Sequence, residues 1–283
     1  MGSIASGACD MQGVNMEKKV LVLDIDGTLT NSRKEITGAT RQAIWEAIER
    51  GHKVMLASGR PTPGMRRYEE ELELARYGGY LLSFNGARIV ECRTGEVIYQ
   101  RTLPLNLLPG LYRYAKEHKM GMITYLADTV ISAFEPDEYI RLEARINGLP
   151  IRVEENFLEF VDFEIQKCLL TAPGEQAEVY EKELQERYSQ VASIYRSEPF
   201  FVEVMPRNVD KASSLDKVLP MIGMDRTHTI CCGDGFNDIS MIRYAGVGVA
   251  MANAQPAVKE AADYITASND EDGIVQVIRE FMN

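Results

Sequence analysis

The chain has 283 residues, more than one ordinary compact domain needs and about right for two at the usual ~100–200 residues each. With 45% apolar and 26% charged residues it can bury a sizeable core, which excludes a disordered chain. Its 42 acidic against 31 basic residues leave a net charge of -11, which argues against sequence-independent binding to nucleic acid or an anionic membrane, since both require a basic face.

No stretch approaches the roughly 18 consecutive apolar residues of a transmembrane helix, and the N-terminus lacks the charged-then-apolar pattern of a secretory signal. The expected location is therefore the cytoplasm. Five cysteines, an odd number at irregular spacing, suggest neither a disulfide framework nor a zinc site. Residues 1–17, rich in Gly, Ser, Ala and Met without periodicity, read as a disordered leader.

From Lys18 to Leu23, two lysines are followed by a continuous apolar run, the pattern of a strand buried on both faces of a parallel sheet, and it stops at Asp24. The spacing predicts a helix from Gly38, capped by Thr37 and closed by Gly51, then a second buried strand from His52 to Ala57 ending at Ser58. A further helix is expected over Pro63 to Leu74 and a third strand over Tyr80 to Phe84. From Asn85 to about Glu198 the texture changes. A hairpin is expected from Ala87 to Glu91 and Val97 to Thr102, then helices at Leu105 to Lys119, Asp137 to Ile146 and Gly174 to Arg187, with strands at Gly121 to Tyr125, Val130 to Phe134 and Lys167 to Thr171. This reads as an α+β insert. Beyond it, Phe200 to Val204, Thr227 to Cys232, Val247 to Met251 and Tyr264 to Thr266 read as strands that resume the parallel pattern. Helices are expected between them over Ser213 to Met221, Asp238 to Tyr244, Pro256 to Ala262 and Ile274 to Met282.

The strongest local signal is Asp24-Ile25-Asp26-Gly27-Thr28, directly after a buried strand. Residues i and i+2 of an extended chain point the same way, so Asp24 and Asp26 can face one site at the strand's carboxyl end, where open α/β sheets bind ligands. Two carboxylates so close become tolerable if a hard dication such as Mg²⁺ neutralises them. Alone, the same residues also suit a turn or helix cap. Gly233-Asp234-Gly235-Phe236-Asn237-Asp238 likewise follows an apolar strand and precedes a helix. It lacks the loop length and terminal Glu of an EF-hand and the third glycine of a dinucleotide fingerprint. Ser58-Gly59-Arg60 offers a hydroxyl and free N–H groups at a helix start, suited to a phosphoryl oxygen or to a plain N-cap. Asp210-Lys211 opens a helix with a lysine in the first turn, unfavourable to the helix dipole unless it has another partner.

In this order and combination the four segments resemble the haloacid dehalogenase superfamily of phosphotransferases, and the insert resembles the α+β cap of its Cof-type subfamily. The resemblance covers Lys18 to Asn283, with one departure at Ala212, where the family usually has glycine. It implies an α/β fold, a doubly wound parallel (Rossmann-like) sheet core of residues 18–84 and 199–283, with an inserted α+β cap over 85–198. It implies a phosphatase of small phosphorylated metabolites such as sugar phosphates, with Mg²⁺ as cofactor and an aspartyl-phosphate intermediate. Asp24 would be the nucleophile and Asp26 the acid and base. Asp24, the carbonyl of Asp26, Asp234 and Asp238 would serve the metal. Ser58, Lys211, Asn237 and the backbone amides of Ile25 and Gly59 would meet the phosphoryl group. Arg60 and Asn85 would face the substrate at the opening between core and cap. A phosphomutase of the same fold and a non-catalytic phosphate-binding module are the rival readings, though a receiver module needs only about half this length and has no use for Asp26.

Overall fold

A computed structural model describes residues 17–282; all of the expected leader except Glu17 lies outside the described residues. In chain order the elements begin β1 (Val20–Leu23), α1 (Gly38–Glu49), β2 (Lys53–Ala57), α2 (Arg66–Glu71), α3 (Leu74–Tyr77) and β3 (Tyr80–Ser83). The strands β4 (Arg88–Glu91) and β5 (Val97–Gln100) come next, then α4 (Leu108–Glu117), β6 (Gly121–Leu126), β7 (Thr129–Ser132), α5 (Glu138–Asn147) and β8 (Ile151–Val153). They are followed by α6 (Phe157–Phe160), β9 (Cys168–Thr171), α7 (Gly174–Tyr188), β10 (Ala192–Glu198) and β11 (Phe201–Pro206). The chain closes with α8 (Lys211–Val218), β12 (Thr229–Gly233), α9 (Ile239–Tyr244), β13 (Val247–Ala250), α10 (Pro256–Ala261), β14 (Tyr264–Ile265) and α11 (Gly273–Phe281).

The strands form two sheets. The larger has eight in the order β14-β13-β12-β1-β2-β3-β4-β5, parallel from β14 to β3 and antiparallel beyond. The continuous apolar run of β1 is explained by burial on both faces. Leu21 and Leu23 pack with Ile44 of α1 and Ile278 of α11, while Val20 and Val22 pack with Leu215 of α8 and Met241 of α9. Because β1 is flanked by β2 on one side and β12 on the other, the chain order reverses about it, and ligands of open α/β sheets bind outside such a switch point.

The smaller sheet has six strands, β10-β11-β9-β6-β7-β8, mostly antiparallel. Sheet membership corrects both expected boundaries of the insert. The hairpin β4–β5, expected beyond residue 85 as part of the insert, extends the larger sheet through pairing of β4 with β3, and Ile89 is buried in that sheet's core. Antiparallel alternation had set it apart from the parallel strands, although an antiparallel edge on a parallel sheet is common. At the other end, β11 lies not in the larger sheet but between β10 and β9. Phe201 and Met205 enter one apolar cluster and Val202 and Val204 another, so it too is buried on both faces and reads like a parallel core strand.

The helix expected over Pro63 to Leu74 is a 3₁₀ turn at Thr62–Met65 followed by α2 and α3, separated at Glu73, whose φ is +51°. β8 and the polar strand β10 were not foreseen. In β10 the residues Ala192 and Ile194 enter the core while Ser193, Tyr195 and Ser197 alternate with them, so the apolar half of the pattern is too sparse to stand out.

Candidate active site

Parallel pairing of β1 with β2 and β12 carries Asp24, Ser58 and Asp234 to neighbouring strand ends. The amide of Asp24 continues the ladder to the carbonyl of Cys232, and that of Ser58 to Leu82. After Asp24 the chain turns at once. Leu29 N bonds Asp24 O, and the Ile25 carbonyl accepts from both the amide and the hydroxyl of Thr30. Ile25 buries its side chain in the core, so it faces the site through its backbone alone. Gly27 has φ +90°, and a Cβ there would lie 2.4 Å from the Asp234 carboxylate, so glycine is required by both conformation and space.

Lys211 is wholly buried, and its ammonium has three acceptors: Asp24 Oδ1 at 2.7 Å, Asp238 Oδ1 at 2.6 Å and the Ala57 carbonyl at 2.7 Å. This is the other partner that a lysine in a first helical turn calls for. α8 starts at Lys211 itself, two residues before the expected start, because Asp210 caps it in a reciprocal box with Ser213. Asp238 is held from all sides, since its Oδ2 accepts from the amides of Asp234 and Gly235 at 3.0 and 2.9 Å. Asp234 Oδ1 accepts from the Thr28 hydroxyl at 2.8 Å.

Carboxylate oxygens of Asp24, Asp234 and Asp238 lie within 4.8 Å of one another. Burial and the neighbouring Asp238 push Asp24 well above the usual carboxylate range, with Lys211 opposing. Burial pushes Asp234 up to about 6 against the Thr28 hydrogen bond. Burial works against the charge on Lys211, but Asp238 and Asp24 outweigh it and keep the amine charged. Two buried carboxylates thus share one cation with a third, half-buried one beside them, and the cluster is short of positive charge. An all-oxygen donor set with that deficit suits a hard dication such as Mg²⁺. Both oxygens of Asp238 are taken by the protein, whereas Asp24 and Asp234 each commit only Oδ1.

The carboxylate of Asp26 stands apart from this cluster. Arg60 grips it with two parallel bonds, Nε to Oδ2 at 2.8 Å and Nη2 to Oδ1 at 3.0 Å, and Lys34 Nζ adds a third at 3.0 Å. Burial raises its pKa, but Arg60 and Lys34 outweigh that and hold the carboxyl below its ordinary value. Arg60, expected to face the substrate, is spent on Asp26 and on the Ile146 carbonyl, which it reaches at 2.8 Å. Asn85 is engaged as well: its Oδ1 accepts from Asn237 at 3.1 Å and its Nδ2 donates to the Tyr195 hydroxyl at 3.0 Å. Ser58 Oγ accepts from Arg60 N at 3.2 Å, and Gly59 packs against the Asn85 amide, where a Cβ would lie 3.3 Å away.

Sequence reasoning passed over Thr28, Lys34, Tyr195 and Asn253, whose Nδ2 donates to the Gly27 carbonyl at 2.8 Å. Thr28 was within reach, lying inside the first motif. Lys34 lies eight residues beyond Asp26 and carries no local mark, and Tyr195 and Asn253 come from parts of the chain far from that motif.

Residues 21–278 match the family model of the haloacid dehalogenase-like hydrolases. The crystal structure of a haloacid dehalogenase-like hydrolase from Bacteroides thetaiotaomicron superposes with a TM-score of 0.89 at 41% identity, over 93% of this chain and 99% of that one. A solved sugar phosphatase of haloacid dehalogenase subclass IIB superposes at 0.79 with 29% identity, over 93% and 99%. The 5-amino-6-(5-phospho-D-ribitylamino)uracil phosphatase YcsE of Bacillus subtilis (strain 168) is 29% identical over 96% of this chain and 99% of its own.

Proposed function

Since the chain belongs to the haloacid dehalogenase-like hydrolases, we propose that this phosphatase is Mg²⁺-dependent and cleaves small phosphorylated metabolites through an aspartyl-phosphate on Asp24. The observation that carries this reading is the buried Asp24–Lys211–Asp238 ion triplet with Asp234 beside it, at the carboxyl ends of β1 and β12.

Lys211 holds Asp24 by Oδ1 and leaves the other oxygen to attack phosphorus. As the Asp24–phosphorus bond forms, the bond to the leaving oxygen breaks, and Asp26, which Arg60 and Lys34 favour as the carboxylate and which must therefore first take up a proton from water, gives that proton to the leaving oxygen. Asp26 then takes a proton from water, which attacks the same phosphorus, frees inorganic phosphate and restores the Asp24 carboxylate. The ammonium of Lys211, the Ser58 hydroxyl, the Asn237 amide and the backbone N–H groups of Ile25 and Gly59 meet the charge on the transferring oxygens. Asp24 and Asp234 would hold Mg²⁺ with the Asp26 carbonyl, while Asp238 orients Lys211 and the turn. When bound, the ion would supply charge stabilisation to the phosphoryl group.

The smaller sheet acts as the cap and contributes to substrate choice, since its Tyr195 already bonds Asn85 beside the catalytic loops. Relatives with a stated substrate are named for a sugar phosphate or a phosphoribityl chain, which supports phosphorylated polyols. No helix among the described residues is long and apolar enough to cross a membrane, as a location in the cytoplasm requires. The test is phosphate release from a panel of phosphorylated metabolites, with Mg²⁺ or with chelator. Turnover is expected only with the metal and is lost in Asp24→Asn without loss of the cooperative unfolding transition. An Asp24→Asn variant that still turns over removes the nucleophile assignment, and isomerised substrate without free phosphate removes hydrolysis.

A further inference from the structure

Arg60 sits where the two sheets meet. Its side chain starts from the loop after β2, and its planar guanidinium makes contacts along two edges. The Nε and Nη2 edge forks onto both oxygens of Asp26, and Nη1 donates to the carbonyl of Ile146, in the last turn of α5. Carbonyls in a final helical turn lack partners within their own helix and carry the negative end of its dipole, so a cation is a favoured donor there. One rigid plane is thereby fixed at one edge by the helix of the smaller sheet and presents its other edge to Asp26.

The seat of α5 on the larger sheet's loop is close. Gly64, in the turn at Thr62–Met65, is buried, and a Cβ on it would lie 2.3 Å from Asn147 Oδ1, in the residue after Ile146. A methyl group at that point would press on the Asn147 side chain at the end of α5, next to the Ile146 carbonyl that Arg60 holds. Gly64 has no left-handed φ, so the conformation itself tolerates alanine.

We propose that Arg60 is a positioning residue that makes the aim of Asp26 depend on the docking of α5, a reading that rests on Asp26 as the proton donor to the leaving group. With α5 seated, the Ile146 carbonyl sets the plane of the guanidinium and the fork holds the Asp26 carboxyl in line with the leaving oxygen. With α5 displaced, the fork loses its anchor and Asp26 keeps only the Lys34 bond to one oxygen, which leaves its plane free to turn, while the phosphoryl-binding groups at the ends of β1 and β2 and on α8 stay in place. The acid would then be presented only when the substrate is enclosed.

Two esters separate this role from phosphate binding. p-Nitrophenyl phosphate releases an anion that needs little help from an acid, whereas glucose 6-phosphate releases an alcohol that must be protonated. The quantity to read is the ratio of kcat/KM for the sugar ester to kcat/KM for the aryl ester, which reports steps up to formation of the aspartyl-phosphate and cancels any change in the folded fraction. In Arg60→Met and in Gly64→Ala the ratio is expected to fall by about tenfold or more, within the ~10²–10⁴-fold that a positioned acid supplies. Arg60→Lys, which keeps the charge without the fork, is expected to stay depressed. The double variant is expected to be no worse than Arg60→Met alone. An unchanged ratio, with both esters slowed equally, would overturn the proposal and return Arg60 to the substrate's phosphate. Restoration by lysine, or effects of the two substitutions that multiply, would overturn it as well. Wild-type turnover of the esters is read separately, so failure of the phosphatase reading is distinguishable from failure of this one.

Discussion

A single ammonium bonded by two buried carboxylates, with a third, half-buried one beside them, would be a poor way to stabilise a fold, because buried ion pairs repay their desolvation only when every charge is matched. At residue scale that mismatch is what sets Lys211, Asp24, Asp234 and Asp238 apart from the other buried ion pair, Lys167 with Glu203, in the smaller sheet. His52 illustrates the opposite case, a buried titratable group with its partners in place. Its Nδ1 accepts from the amide of Lys19 at 3.0 Å and its Nε2 lies 3.1 Å from the Met282 carbonyl, an arrangement that suits the neutral ring. Burial lowers its pKa from the ordinary 6.5, against the Met282 hydrogen bond. The unfolded chain therefore binds the proton more readily than the folded one, and the stability His52 contributes is present above its ordinary value and lost as pH falls below it. Denaturant unfolding is expected to show that a fall from about pH 7.5 to about pH 5.5 costs the wild type more stability than it costs His52→Gln, since the opposing uptake of a proton by Asp234 is common to both. Equal slopes would remove His52 as the source. Its position, tying the start of the second strand to the end of the last helix, is one that only the fold could supply.

At the scale of elements, the turn from β3 into β4 does more than its sequence suggests. Phe84 and Asn85 both have left-handed φ, +51° and +52°, and Gly86 follows at +104°. Non-glycine residues held in that region cost of order 1–3 kcal/mol each and persist only where their surroundings over-determine them. Here Ser214 Oγ bonds the Gly86 carbonyl, and a Cβ on Gly86 would lie 2.3 Å from that oxygen and 2.8 Å from the Asp210 carbonyl. The turn therefore presses directly on the start of α8, whose first residue is Lys211. Gly86→Ala is expected to destabilise the protein by more than about 1 kcal/mol in urea unfolding, through strain as well as the clash. It is also expected to lower kcat by displacing Lys211 and Asn85. A variant with the wild-type midpoint would show that the turn can relax. α1 and its Thr37 cap were legible because a helix terminus is a local matter. The strand β10 was not, because its polar half is satisfied from outside the strand, by Glu203 on the neighbouring β11 for Ser197 and by Asn85, far away in sequence, for Tyr195.

For the whole molecule, the net charge of -11 sets the problem of admitting a phosphate ester. Under the proposed function the problem is met locally, by Lys211, backbone amides and a bound dication at the switch point of the larger sheet. A ligand that binds only the folded state raises stability by about 2.7 kcal/mol at 100 times its dissociation constant. Mg²⁺ is accordingly expected to raise the thermal unfolding midpoint beyond the effect of potassium at matched ionic strength, and Asp234→Ala is expected to abolish the difference. An equal rise in that variant would place the ion elsewhere.

The sequence by itself determined the parallel core and the segments that stand at its strand ends. A strand buried on both faces must be continuously apolar, and Asp24, Ser58 and Asp234 each stand where such a run ends. Those are properties of one segment and its immediate neighbours. Only the tertiary structure decided that the hairpin β4–β5 widens the larger sheet and that β11 belongs to the smaller one, since a strand's own residues record how deeply it is buried but not which strands cover it. The tertiary structure likewise decided that Arg60 spends its guanidinium on Asp26 and Ile146. A side chain's partners are settled by packing between segments many residues apart, and no local pattern encodes them.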